Sequence, residues 1–276
     1  MSPSPNRVLQ AFESSGTVQS LRGRLPGPGE VRVLGGAVGS SGLAALATLH
    51  RSAENQVLVL VCASPRDAAS VETDMETLLG ASGSCLFPQR EGLPYESSEP
   101  HLEVGALRVE ALEAIFSGRT RLLVTTLRAL QERAPVPSSL AELRLPISVG
   151  EEFGFGELVS ALEARGFEQT PLVEEVGQFA VRGGLIDLFS FGSPEPSRVE
   201  FWGDEITSIR SFDLLDQRSV RAMETIHILP IDFRDEEGGT EVRRSLLELL
   251  PSQGILVELG TQDWQEELSR TWNHAR

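Results

Sequence analysis

The sequence predicts an α/β fold in which a parallel-sheet domain is interrupted by an inserted α+β domain. Three observations carry this. Between residues 57 and 132, short apolar runs alternate with segments of helical periodicity, the signature of βαβ units. Between residues 177 and 213 the period changes to two, and glycine pairs break the run into short antiparallel strands. After Pro230 helical texture returns, and Gly254-Ile255-Leu256-Val257-Glu258-Leu259 gives one more apolar strand of the first kind.

In chain order, residues 1 to 29 are polar and rich in Pro and Gly, and are expected to be flexible apart from a short helix over 8–12. Val31-Arg32-Val33-Leu34 reads as a strand, and a helix of small residues follows from Ser41 to about Arg51. Val57-Leu58-Val59-Leu60-Val61-Cys62 is continuously apolar, as a parallel strand covered on both faces must be. Residues 65–79 place Ala68, Ala69, Val71, Met75 and Leu78 near helical spacing. Cys85-Leu86-Phe87-Pro88 is a strand end, 104–116 a helix, 121–126 a strand and 127–132 a short helix. Ala134-Pro135-Val136-Pro137-Ser138-Ser139 reads as a linker.

The inserted part begins with a helix over 156–165, closed by Gly166. Three or four strands follow, separated at Gly183-Gly184, at Gly192-Ser193-Pro194 and at the tight turn Gly203-Asp204. A helix over 242–250 is stopped by Pro251. The resulting division is 1–29 flexible N-terminus, 30–137 first part of the α/β domain, 138–229 inserted α+β domain, and 230–276 second part of the α/β domain.

Composition excludes several function classes. The 276 residues carry 24 Lys and Arg against 40 Asp and Glu, a net charge of -16. Phosphate backbones repel such a chain, and no Lys/Arg cluster offsets the field, which argues against autonomous DNA binding. No run of about 18 apolar residues could span a membrane. Cys62 and Cys85 read as free thiols in a reducing, cytoplasmic compartment. His50, His101, His227 and His274 lack metal-ligand spacing, and no catalytic triad is readable, so no metal site is expected. Asp204-Glu205 follows Gly203 between two strands and reads as a hairpin turn.

Leu34-Gly35-Gly36-Ala37-Val38-Gly39-Ser40-Ser41-Gly42-Leu43 stands where a phosphate loop belongs, between strand and helix. A working loop needs G-x-x-x-x-G-K-[ST], with the Lys neutralising phosphate and the hydroxyl holding Mg²⁺. Counted from Gly36, those positions hold Ser41, Gly42 and Leu43. Cation and metal ligand are missing, and Gly36 and Gly39 keep only loop character. An ordinary strand-to-helix turn is the alternative reading.

The run Gly177-Gln178-Phe179-Ala180-Val181-Arg182-Gly183-Gly184-Leu185-Ile186-Asp187-Leu188-Phe189, continued through Arg198-Val199-Glu200-Phe201-Trp202-Gly203-Asp204-Glu205-Ile206, resembles the small inserted domain shared by the transcription-repair coupling factor (Mfd) family and the excision-repair subunit UvrB. The match extends to Phe87-Pro88, to Glu91-Gly92-Leu93-Pro94-Tyr95-Glu96 and to Leu123-Val124-Thr125-Thr126-Leu127-Arg128-Ala129-Leu130, which look like the first domain of the coupling factors.

The resemblance implies a degenerate helicase-like α/β domain and a domain that docks on UvrA. It places basic contacts at Arg182 and Arg198, an acidic one at Glu200 and an apolar contributor at Phe189, although a core position is the expected place for this Phe. Two arginine positions of UvrB are occupied here by Gln169 and Ala180. A cross-strand ion pair between Arg182 and Glu200 is the alternative to docking. UvrB-type ATPases end the strand matching 255–258 in an Asp-Glu pair, and here Glu258 is followed by Leu259. UvrB also clamps DNA with a Tyr-rich hairpin, and this chain has one Tyr.

Full-length relatives continue into an RNA-polymerase-binding domain and an ATP- and Mg²⁺-using DNA translocase, so the chain reads as an N-terminal portion or a truncated relative. The expectation is a UvrA-recruiting module of transcription-coupled nucleotide excision repair, without ATPase chemistry or a cofactor of its own. The alternative is a nucleotide-binding UvrB-like subunit.

Overall fold

Period-two and period-3.6 patterning are realised in separate parts of the chain. The computed structural model describes residues 5–22, 25–33, 35–37, 39–52, 56–80, 83–90, 102–135, 144–193, 195–230, 243–250 and 254–260. In order these form α1 (Pro5–Glu13), α2 (Gly16–Arg22), α3 (Ser41–Ser52), β1 (Leu58–Cys62), α4 (Pro65–Leu79), β2 (Cys85–Phe87), α5 (Leu102–Phe116), β3 (Leu122–Thr126), α6 (Leu127–Gln131) and β4 (Arg133–Pro135). Then come β5 (Leu145–Ser148), α7 (Phe155–Ala164), β6 (Glu168–Gln169), β7 (Gln178–Arg182), β8 (Leu185–Leu188), β9 (Ser197–Trp202), β10 (Glu205–Phe212), β11 (Ser219–Met223), β12 (Thr225–Ile228), β13 (Arg243–Ser245), α8 (Leu246–Leu249) and β14 (Ile255–Glu258). Two compact units result: Met1–Pro100 with Ala114–Arg133 and Arg244–Arg276, and His101–Glu113 with Ala134–Arg243.

The first unit is built on a parallel sheet in the order β14-β1-β3-β2. Every residue of β1 and β3 is buried, as their unbroken apolar sequences require. Leu60, Cys62, Leu122 and Val124 share a core with Leu9 of α1, Leu46 and Ala47 of α3, and Ala68 and Met75 of α4. Helix α4 shows why its sequence starts and stops where it does. Ser64 accepts the Asp67 N–H at 3.1 Å, and Pro65 occupies the first turn, where its missing N–H costs nothing. Gly80 ends the helix at φ 91°, donating its N–H to the Glu76 carbonyl at 2.8 Å.

The second unit holds a six-stranded sheet, β11-β10-β9-β8-β7-β6, antiparallel except for the β6–β7 pair, and a two-stranded pair, β12-β5. The tight turns sit at the glycines. Gly183 and Gly203, at φ 60° and 64°, are the first central residues of two-residue hairpins joining β7 to β8 and β9 to β10. A positive φ there matches the twist of the flanking strands, and only glycine adopts it without strain. The inner face of the sheet presents Phe179, Ile186, Leu188, Val199, Ile206 and Ile209 to Leu158 and Leu162 of α7. Phe155 of α7 meets Phe201 edge-to-face at 5.2 Å. Burying one such side chain contributes roughly 1.5–3 kcal/mol.

Four expectations are corrected. Residues 5–13 and 16–22 of the nominally flexible N-terminus are helices. Leu9 packs into the first core, and Val18 meets Ala45 and Leu49. Residues 31–33 form no strand, and Val31 and Val33 are 86 % and 91 % exposed. A strand needs a ladder partner, and among the described residues this segment has none. The helix expected over 242–250 is confined to Leu246–Leu249, with β13 before it. Glu248 fixes its start by accepting the Ser245 backbone N–H at 2.6 Å. The linker expected from Ala134 opens within β4. The segment around Tyr95 lies outside the described residues.

Candidate docking face

In the six-stranded sheet, hydrogen-bonded register decides which side chains lie together. Arg182 stands opposite Leu185, Leu185 opposite Glu200, and Glu200 opposite Ser208. One row further along, Ala180, Asp187, Arg198 and Arg210 form a second line across β7, β8, β9 and β10. Partners directly opposite share a face, and so do residues two apart. Both rows, with Trp202, therefore lie on the face away from α7.

This outer face is covered at one end and open at the other. At the covered end Val173, Ala180, Phe189 and Phe212 form a second, smaller core, against which Leu214 packs. At the open end Arg182 is exposed and donates to the Pro171 carbonyl at 3.1 Å. Trp202 is 81 % exposed at the tip of the β9–β10 hairpin. Arg210 is exposed on β10 and Glu200 is half-buried. Among the described residues neither Arg182 nor Arg210 has an acidic side chain within ion-pair distance, so both guanidinium groups are available to a carboxylate.

Arg198 behaves differently. Its Nε donates to Asp187 Oδ1 at 2.7 Å and its Nη2 to Asp187 Oδ2 at 2.8 Å. Nη1 donates to the Gln217 carbonyl at 3.2 Å, and the guanidinium lies 4.9 Å from the Phe212 ring centre. The side chains of Arg198 and Asp187 are 15 % and 2 % exposed. The hydrogen-bonded Asp187 carboxylate raises the Arg198 pKa above its usual value, outweighing burial, and Glu200 adds to the effect. Arg198, expected as a contact, is thus tied to Asp187 and to the Gln217 carbonyl, with 15 % of its side chain left exposed.

Phe189 is buried in the smaller core with Val173, Ala180 and Phe212, the place expected for it. Arg182 and Glu200 do not form a cross-strand pair, since β8 separates them. Ala180, at a position where UvrB carries an arginine, is 1 % exposed in that apolar core, and Gln169 is exposed on β6. Asp187, Trp202 and Arg210 were not singled out from the sequence. The turn at Gly203 and period-two alternation from Glu200 were the available signals for Trp202.

In the first unit, the loop before α3 carries Gly36 and Gly39 at φ 82° and 56°, both exposed. Ser41 and Gly42 open the helix. A side chain at Gly42 would meet the Ala37 Cβ at 3.3 Å. Leu43, at the position of a Mg²⁺-binding hydroxyl, packs against the apolar core of the sheet. These residues do not fit a nucleotide phosphate with its metal. Glu258 is exposed at the end of β14, opposite Val61. No group of three or more metal-ligating side chains occurs among the described residues. No helix among them is long and apolar enough to cross a membrane.

Comparison with known proteins falls on the same sheet. Residues 145–233 match the family model of the UvrB interaction domain. The chain is 33% identical over 219 residues to the transcription-repair-coupling factor of Haemophilus influenzae, covering 79% of this chain and 19% of that protein. It is 36% identical over 192 residues to the Myxococcus xanthus factor (67% and 16% covered), and 32% over 231 residues to that of Mycobacterium bovis (80% and 18%). The chain spans less than a fifth of the length of the curated relatives it matches.

Proposed function

We propose, for a chain that is homologous to the transcription-repair-coupling factors and holds a UvrB interaction domain at residues 145–233, that it recruits UvrA during transcription-coupled nucleotide excision repair. The observation that carries this reading is the outer face of the six-stranded sheet. It sets two unpaired arginines, an exposed tryptophan and a half-buried glutamate on one surface of the matched domain. Interface energy concentrates on residues of these kinds, with Trp filling a pocket and Arg taking a carboxylate by a two-pronged bond.

The first unit is read as a nucleotide-binding fold that has lost its chemistry. Leu43 packed against the core and the absence of a Lys at position 42 support that reading. ATP hydrolysis, DNA translocation and RNA polymerase contacts belong, on this reading, to other parts of the longer relatives. Neither Cys62 nor Cys85 is in a disulfide, which fits a cytoplasmic protein.

Calorimetric titration with UvrA tests the proposal. The wild-type chain binds, and Arg182→Ala weakens binding about tenfold or more, about 1.4 kcal/mol, with an unchanged melting temperature. Wild-type affinity retained by the variant would remove the outer face from the interface.

A further inference from the structure

We propose that the β9–β10 hairpin receives a cation: a basic side chain of the docking partner, with arginine fitting best, lies on the Trp202 indole and is held by Glu205 and Glu152. This rests on the docking reading above and adds the chemistry that the partner must bring to one end of the face.

Register brings the three side chains together. Glu205 stands directly opposite Trp202, and Glu152, in the segment before α7, stands directly opposite Glu205. Directly opposed residues share a face, so the indole and the two carboxylates form one row on the outer side of the sheet. Both glutamates are exposed, as is Trp202. The backbone beneath them is fixed. The Ile206 N–H donates to the Glu151 carbonyl at 3.0 Å, and the Phe153 N–H to the Asp204 carbonyl at 2.8 Å. The Asp204 carboxylate accepts the Phe155 N–H at 3.4 Å, and Phe201 packs on Phe155 from the opposite face.

The occupant follows from charge. Like charges directly opposite each other destabilise a strand pair, and among the described residues no basic side chain lies within ion-pair distance of Glu152 or Glu205. A cation from outside removes that repulsion. A purely apolar pocket would cover Trp202 but strip water from two unpaired carboxylates, which is costly. Reach is sufficient. Directly opposed Cβ atoms are about 4.5–5.5 Å apart, and a guanidinium over an indole sits within about 6 Å of the ring centre. One arginine can therefore stack on Trp202 and bond Glu205 through its fork, which an ammonium cannot reproduce. Arg182 and Arg210 are free to take carboxylates elsewhere on the same face. The partner must then present both signs in a fixed order, which sets its orientation.

UvrA titration of the full chain, with Arg182→Ala run alongside, tests this through Glu205→Gln, Glu152→Gln and Trp202→Leu. Glu205→Gln should bind about fivefold more weakly while its melting temperature holds or rises, because one of two opposed charges is gone. A residue that only supports the fold would lose affinity and stability together. Glu152→Gln should change both in the same directions by a smaller factor, about twofold. Trp202→Leu keeps apolar bulk without the π face and should weaken binding about tenfold. Combining it with Glu205→Gln should cost less than the product of the two losses, because both residues hold one ligand.

Wild-type affinity in Glu205→Gln or in Trp202→Leu overturns the proposal, and so does a melting temperature that falls in step with affinity. If Arg182→Ala weakens binding and Glu205→Gln does not, docking stands and the cation site falls. Absence of UvrA binding by the wild-type chain removes both.

Discussion

The two sheets of this protein treat their second face in opposite ways. In the parallel sheet, β1 and β3 are buried on both sides, and the segment before α3 offers glycines, followed by a leucine that packs against the core. In the antiparallel sheet, one face is closed by α7, while the other is divided between a small apolar core and an open area carrying Arg182, Trp202 and Arg210. A face left open with unpaired guanidinium groups and an exposed indole gains most when a partner desolvates it. A loop without a cation has nothing comparable to offer a phosphate. Among the described residues of these two sheets, the exposed groups suited to a partner therefore lie on the antiparallel one.

The largest expected effect comes from the inner face. Phe179 is fully buried beneath the row that carries Arg182, and Phe179→Ala should destabilise the second unit by about 3–5 kcal/mol. Denaturant unfolding followed by amide exchange in β7 to β10 measures it, and UvrA binding should fall with the loss of structure. A cost below 1 kcal/mol would mean that α7 does not hold the sheet as described. Trp202→Ala should do the converse. The side chain is 81 % exposed, so the melting temperature should hold while UvrA affinity falls by about 2 kcal/mol, or roughly thirtyfold. Matching losses in stability and affinity would make Trp202 a structural residue.

Legibility in the sequence followed the range of the interaction. Helix α4 was readable to its ends, because Ser64, Pro65 and Gly80 act on their own neighbours. The Gly183-Gly184 turn was also local, and it fixes Arg182 opposite Leu185 and hence Ala180 opposite Asp187. The next step was not local. The connection between β8 and β9 is eight residues long, from Phe189 to Pro196, and many registers satisfy its sequence. Only the folded register sets Asp187 against Arg198, so the ion pair that holds this arginine could not be read from its type alone. Phe189 was expected in a core by its type, but the residues that cover it, Val173, Phe212 and Leu214, come from distant parts of the chain and were not legible. The strand expected at 31–34 had the right alternation, and alternation alone supplies no ladder partner.

The first unit carries its own titration. Burial pushes Glu72 up to about 7, with the Ser84 hydroxyl opposing and Glu76 adding, against an ordinary value of 4.5. Burial, aided by Arg121, pushes His50 down to about 4 from 6.5. The folded state holds the Glu72 proton more tightly than the unfolded state, so its contribution to stability is lost as pH rises from about 4.5 through about 7. His50 has the opposite sign: the unfolded state binds the extra proton, and stability is lost as pH falls from about 6.5 toward 4. Glu72→Gln should therefore gain on wild type by about 1–2 kcal/mol at pH 8, after allowance for partial exposure, and match it below about pH 4.5. Urea unfolding at the two pH values measures this, and an equal gain at both would assign the effect to packing.

The smallest expected effect sharpens the contrast most. Saturating ATP·Mg²⁺ should not shift the melting temperature of the wild-type chain, whereas a ligand at a hundred times its Kd would stabilise the native state by about 2.7 kcal/mol. Introducing the missing groups tests whether the loop retains a usable cradle. In Gly42→Lys the new Cβ meets the Ala37 Cβ at 3.3 Å, so the loop must move by a few tenths of an ångström to admit it. Leu43→Thr withdraws a side chain from the core and places a hydroxyl among apolar neighbours, at a cost of about 1–3 kcal/mol. The double variant should be less stable than wild type and still unshifted by nucleotide. A shift in the wild type would return nucleotide binding to the parallel sheet. A shift in the double variant alone would show that the backbone cradle persists and that only the cation and hydroxyl had been lost.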